Sequence, residues 1–202
     1  MTLYQLKPSF QSLLRPGVRQ LHGRGITANQ VTIAACVVSV ALGLGLYFLA
    51  SSAVWLGLIA AWMLVRMAFN AVDGMLAREF GQQSRLGALL NELTDVLSDA
   101  ALYLPFARVL PFDPFWVGTV IVLAGLGEFA GALGPTVGGA RRYDGPLGKS
   151  DRALVFGALA LWAALAGGLP AWLAPLMPLL ALLLVATIVR RMRGALAAGG
   201  QS

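Results

Sequence analysis

Residues 70–99, NAVDGMLAREFGQQSRLGALLNELTDVLSD, set Asp, Asn, Arg and Gly at helical spacing inside a chain that is otherwise strongly apolar. Asn70 and Asp73 are three apart, and Asn91, Asp95 and Asp99 follow one another at intervals of four, so each set shares one helix face. Two antiparallel helices joined by a short turn would point both sets of oxygens into one cleft. Hard dications such as Mg²⁺ or Mn²⁺ take oxygen ligands of this kind and complete their shell with water and substrate phosphates. Gly74 and Gly87 lack a Cβ and so admit a ligand or a neighbouring helix to the backbone. Arg78 can hold phosphate oxygens through two N–H groups at once.

Around this segment the chain reads as a membrane protein. Its 202 residues are 58% hydrophobic and 12% charged, and its mean hydropathy is +0.75. That composition excludes an ordinary soluble domain. Windows 31–49, 53–75, 115–133, 153–168 and 171–189 are each long enough to cross about 30 Å of hydrocarbon. A sixth, 88–107, is long enough but polar. The expected fold is therefore an all-α integral membrane protein with six transmembrane helices. Arg66, Asp73, Glu92, Asp95, Asp99 and Glu128 fall within these windows and must face one another or water.

Basic residues orient the bundle. Lys7, Arg15, Arg19, Arg24, Arg78, Arg85, Arg141, Arg142, Lys149, Arg152, Arg190, Arg191 and Arg193 fall on one side of a six-span plan, and Arg108 alone on the other. The positive-inside rule then puts both termini and the 70–99 turn in the cytosol, with a bacterial inner membrane as the expected location. The net charge of +6 is sorted by topology and has no soluble domain to carry it, so a nucleic-acid partner is not expected. Anionic membrane lipids are. Before the first span, apolar residues from Leu3 to Leu21 recur every three or four positions among basic ones, which predicts an interfacial amphipathic helix bent or broken near Pro8 and Pro16. The expected division is 1–24 for that helix, 25–193 for the six-span domain and 194–202 for a C-terminal tail. Cys36 lies in the first span as a small apolar residue.

The spacing Asp73-Gly74-x2-Ala77-Arg78-x8-Gly87-x3-Asn91-x3-Asp95 resembles the signature of the CDP-alcohol phosphotransferases, D-x2-D-G-x2-A-R-x8-G-x3-D-x3-D, with Asn at positions 70 and 91 where the family pattern has Asp. Residues 25–32, GITANQVT, resemble the segment that opens the first span in that family, with Ala28 in place of its proline. The resemblance implies an enzyme of phospholipid synthesis. It would transfer a phosphatidyl group from CDP-diacylglycerol to a polar alcohol acceptor, with release of CMP. It also implies that Asn70, Asp73, Asn91 and Asp95 hold Mg²⁺ or Mn²⁺ and that Asp95 doubles as general base. Asn29, Thr32, Gly74, Ala77, Arg78, Ser84 and Gly87 would bind the CDP-alcohol. In the family four carboxylates hold two metals. With two of them replaced by carboxamides, one firm site on Asp73 and Asp95 is expected, the second weak, absent, or completed by Glu92, Asp99 or substrate.

Two readings of the remaining charges stay open. The glycine-rich stretch 134–150, GPTVGGARRYDGPLGKS, is an irregular loop able to shape itself around a ligand. Its Arg141, Arg142 and Lys149, with Arg152, form either a solvated topogenic cluster or an anion pocket for a phosphate on the acceptor or lipid. Glu128 is either an acceptor-site ligand or a partner of Arg66. A register using Asp95 and Asp99 as the last two acids forfeits the Gly87 spacing. Two other functions compete: a catalytically impaired relative that binds CDP-lipid or regulates a partner, motivated by the two Asn, and a small transporter, which gives the Gly-Arg turn no role. A homodimer is compatible with the apolar helix faces.

Overall fold

The computed structural model describes residues 3–199; residues 1, 2 and 200–202, together with the side chains of 3–9 (Lys7 among them) and 199, lie outside the described residues. Among the described residues there are seven α-helices, four short 3₁₀ turns and no strand. The helices are α1 (Leu3–Gly23), α2 (Ala28–Leu49), α3 (Gly57–Glu79), α4 (Arg85–Tyr103), α5 (Pro114–Ala132), α6 (Lys149–Ala166) and α7 (Leu176–Gly199).

α1 runs through Pro8 and Pro16 as one helix, so the expected break is not observed. It ends where Gly25 takes φ +76°, and Thr27 opens α2 with a capping box: its hydroxyl accepts from Gln30 N, and the Gln30 side chain accepts from Thr27 N. Arg15 ties α1 to the end of α3 through Glu79, at 3.0 Å.

Four segments are long and apolar enough to cross a membrane: Ala28–Leu49, Ala53–Glu79, Pro114–Ala132 and Ala171–Ala198. α4 and α6 are set apart by charge, since α4 carries Arg85, Glu92, Asp95 and Asp99 and α6 carries Lys149, Asp151 and Arg152. Both pack against the apolar helices, α4 along α2 and α5, and α6 along α3. α4 is two-faced: Leu86, Leu89, Leu93 and Leu97 form an exposed ridge, while Ser98, Asp99 and Leu102 are buried. Close approach of α2 and α4 depends on Gly43, where a Cβ would stand 2.1 Å from the Ala101 carbonyl oxygen. Gly45, by contrast, faces open space.

The main core lies toward the end of the bundle away from the 70–99 turn. Tyr103 stacks on Phe156 with ring centroids 3.8 Å apart, and Phe106 meets the same ring edge-on. A smaller cluster of Val18, Ala28, Val31, Met75 and Leu76 joins α1, α2 and α3 beneath the turn.

The C-terminal boundary differs from expectation. α7 continues to Gly199, so residues 194–199 are helix rather than tail. Ala-rich sequence favours this, and packing secures it, since Ala195 is buried and Gly194 receives the Arg142 guanidinium.

Candidate active site

α3 and α4 are joined by the short turn 80–84, in which Gly81 takes φ +66°. Ser84 caps α4, its hydroxyl accepting from Gly87 N at 2.9 Å. The turn is fastened to α2 by Gln82, whose carbonyl oxygen accepts from Ala28 N at 2.7 Å. The start of α2 thereby becomes the third wall of a cleft of about 790 Å³ between the three helices.

Asn29, Thr32, Asn70, Asp73, Gly74, Ala77, Arg78, Ser84, Gly87, Asn91 and Asp95 all line this cleft, and so does Lys149 from the start of α6. Asp99 and Glu92 do not. Asp99 lies one turn deeper, between Arg66 (2.6 Å) and Arg152 (3.4 Å), and Glu92 turns to Arg141. Neither lines the cleft that holds Asp73 and Asp95.

Several side chains are already engaged. The Thr32 hydroxyl donates to Asp73 Oδ2 at 2.7 Å, so Thr32 orients a carboxylate as well as lining the cleft. Arg78 folds over Gly74, where a Cβ would meet its guanidinium at 2.9 Å, and Gly87 accommodates the Asn29 carboxamide in the same manner at 2.7 Å. The two glycines make room for side chains that face the ligand rather than for the ligand alone. Gly74→Ala should therefore leave the fold intact, because the obstructing atoms are the far end of a flexible side chain, but displace Arg78. Several-fold weaker binding of a phosphate-bearing ligand in the cleft, at unchanged detergent-solubilised melting temperature, is the expected reading.

Asp95 is held from two sides. Arg66 Nη2 donates to its Oδ1 at 2.9 Å, and the Lys149 ammonium contacts its Oδ2. Arg66 pairs with Asp95 and Asp99 and not with Glu128, because Glu128 is turned toward Arg152 (3.0 Å), Arg191 (3.4 Å) and Arg141 (3.5 Å). These buried charges satisfy one another across α3, α4, α5, α6 and α7.

A second cavity of about 360 Å³ adjoins the first, sharing Asn91, Asp95 and Lys149 with it. Glu92, Glu128, Arg141, Tyr143, Asp151 and Arg191 also line it. Of the basic cluster expected from sequence, only Arg141 and Lys149 reach this cavity. Arg142 turns away to Asp144 at 2.8 Å and lies against Gly194, and its hydrogen bond holds the Asp144 carboxyl below the ordinary range. Arg152 is buried beneath the cavity at 1% exposure, as a structural counter-ion.

Sequence reasoning gave Arg191 only a topogenic role and missed Gln82 and Tyr143, over whose ring the Arg141 guanidinium sits at 4.1 Å. The intramembrane depth of Arg66 did mark it as paired. No local signal places Arg191, because it falls just past the last apolar window, 171–189, where a basic residue reads as topogenic.

The donor set suits a hard cation in kind, since the side-chain oxygens of Asn70, Asp73, Asn91 and Asp95 line one cleft, but only Asp73 and Asp95 among these four are charged. Among the described residues no three of Asp, Glu, His or Cys gather closely enough to hold an ion by themselves.

The chain is similar to known proteins in sequence and in fold. The family model for CDP-alcohol phosphatidyltransferase matches residues 25–186. The inner membrane protein YnbA of Escherichia coli strain K12 is 46% identical over 199 residues, covering 97% of both chains. Phosphatidylinositol phosphate synthase of Mycobacterium tuberculosis is 31% identical over 121 residues, 58% of this chain and 54% of that protein. Its crystal structure with CDP-DAG bound superimposes with a TM-score of 0.75 at 26% identity, covering 89% of this chain and 92% of that one. The structure in complex with manganese and citrate gives the same TM-score and identity, with 87% of that chain covered. With the matched region taking in all three walls of the cleft and most of the bundle around it, the chain belongs to the CDP-alcohol phosphatidyltransferase family.

Proposed function

We propose that this protein transfers a phosphatidyl group from CDP-diacylglycerol to a polar alcohol that carries an anionic group, at the cytosolic face of an inner membrane that it crosses six times. The donor occupies the larger cavity and the acceptor the smaller. The observation that carries this reading is the adjacency of the two cavities, with Asp95 in the wall they share.

Asp95 takes the proton of the acceptor hydroxyl as its oxygen bonds to the β-phosphorus of the donor, while the bond from that phosphorus to CMP breaks. Asp73, Asp95 and the carboxamide oxygens of Asn70 and Asn91 would hold a dication, which when bound screens the diphosphate and stabilises the leaving CMP. Thr32 fixes the Asp73 carboxylate, and Arg66 fixes that of Asp95. Arg78, with Gly74, Ala77 and Gly87, receives the nucleotide end, and Asn29 and Ser84 flank it.

Several features support an anionic acceptor. Arg141, Lys149 and Arg191 converge on the smaller cavity, and Arg141 Nη1 is buried without a hydrogen-bond partner. The acids of the same cavity are suited to accept from hydroxyl groups. The named mycobacterial relative makes a phosphorylated inositol lipid, which fits such a lining. Support for six spans is the packing of polar α4 and α6 within the bundle of apolar helices, and α1, joined to α3 by Arg15, is the interfacial helix.

Purified protein supplied with CDP-diacylglycerol, Mg²⁺ or Mn²⁺ and a panel of polyol phosphates should release CMP with at least one of them. Normal binding of the CDP-lipid with no turnover on any acceptor would overturn the enzymatic reading in favour of a non-catalytic relative. Arg141→Ala should raise the KM of the acceptor roughly tenfold or more, in line with loss of a charge-assisted contact, and change that of the donor little. Equal effects on both would remove Arg141 from the acceptor site.

A further inference from the structure

The two cations on Asp95 are unlike each other. Arg66 is 7% exposed and bonded also to Asp99 and to the Asp95 carbonyl oxygen, so it is a fixed part of the bundle. Lys149 is 32% exposed, lines both cavities, and pairs with the other oxygen, Oδ2. An ammonium on a flexible four-carbon stem can leave one anion for another without moving the backbone. The backbone itself is anchored. Leu147 N donates to Thr187 Oγ1 at 3.1 Å, Gly148 N donates to Asp151 Oδ2 at 2.8 Å, and Gly145, at φ +141°, lies against Thr187.

The cleft therefore sets the carboxylates of Asp73 and Asp95 beside the carboxamides of Asn70 and Asn91, and of the cations that line it, Arg78, Arg85 and Lys149, it is Lys149 that pairs with Asp95. A dication approaching Asp95 from the cleft meets that charge on Oδ2. We propose that Lys149 is a resident, exchangeable cation of the active site. It occupies Asp95 Oδ2 when no divalent ion is bound, yields that oxygen to a single ion, and then turns its ammonium to the diphosphate of the donor. The cleft thus takes one dication with Lys149 as the second positive charge, and Asn70 and Asn91 match that arrangement because fewer negative charges need neutralising. This inference rests on the donor-binding reading of the larger cavity, but its test does not need turnover.

The test is Mn²⁺ binding to the detergent-solubilised full chain without lipid donor, followed by the electron paramagnetic resonance of free Mn²⁺, with size-exclusion profiles confirming folded protein. The parent should bind one Mn²⁺ weakly. Lys149→Met, which keeps the stem and deletes the charge, should tighten binding on the order of tenfold or more, from relief of charge repulsion at contact distance. Lys149→Arg should stay near the parent. Adding Asn91→Asp to Lys149→Met should raise the stoichiometry above one.

Mn²⁺ affinity in Lys149→Met equal to that of the parent, or no Mn²⁺ bound by either, would overturn the proposal. So would two equally tight ions on the parent. CMP release is scored separately. Turnover by the parent with unchanged Mn²⁺ affinity in Lys149→Met sinks the role of Lys149 alone, while tightened Mn²⁺ binding in Lys149→Met with no turnover by the parent sinks the transferase reading alone.

Discussion

Asp95→Asn should lower kcat for CMP release by about 10²–10⁴-fold, the usual contribution of a positioned general base, with donor binding largely retained. The substitution is nearly isosteric, so shape is preserved while the proton acceptor is lost. It also leaves Arg66 and Lys149 facing a neutral carboxamide, but Arg66 keeps its partner Asp99 at 2.6 Å and the bundle should stay assembled. The measurement is single-turnover CMP release beside equilibrium binding of the CDP-lipid. A rate within a few-fold of the parent would show that the proton leaves by another route. Asp99→Asn provides the contrast, since Asp99 lies outside the cleft and should act on stability more than on the chemical step.

The second large effect concerns Arg152. It is almost wholly buried and supplies charge to Glu128 at 3.0 Å and Asp99 at 3.4 Å. Deleting it leaves two desolvated acids short of a shared counter-ion, Glu128 keeping Arg191 and Arg141 and Asp99 keeping Arg66, so the cost of a broken buried pair, about 3–5 kcal/mol, is the upper bound here. Arg152→Ala should therefore lower the thermal midpoint in detergent steeply and reduce the yield of folded protein. Glu128→Gln in the same chain should recover part of the loss, because the uncompensated charge is removed with its partner. Failure of that second substitution to recover anything would locate the damage in packing instead. The distinction matters because Arg141 and Arg152, both in the basic cluster, then have different duties: one loses acceptor affinity when removed, the other loses the bundle.

The line between what the residues disclosed and what they withheld follows sequence distance. Asn70, Asp73, Asn91 and Asp95 lie on two helices joined by a five-residue turn, so helical period alone brings them to one cleft. Most of the apolar spans were legible for the same reason, as was the need of Arg66 for a partner. Which partner was not. Arg66 and Glu128 lie on α3 and α5, and only the rotation of those helices decides that Glu128 faces Arg152 and Arg191 instead.

The glycine-rich loop hid the most. Its course depends on contacts with no local period, such as Arg142 N donating to the Gly131 carbonyl at 3.0 Å and the seat of Gly145 against Thr187. These send neighbouring arginines to opposite destinations, Arg141 inward and Arg142 outward. They also deliver Lys149 to a carboxylate 54 positions earlier in the chain. The helical extent of 194–199 was missed because hydropathy marks where a span can end, not where a helix does.

The thin partition made of Asn91, Asp95 and Lys149 carries a stereochemical corollary. In the seating proposed above, with donor and acceptor on opposite sides of a single carboxylate, the migrating phosphorus needs no stopover on a protein nucleophile. One in-line displacement suffices, and its signature is a chiral phosphorus turned inside out once, like an umbrella in wind.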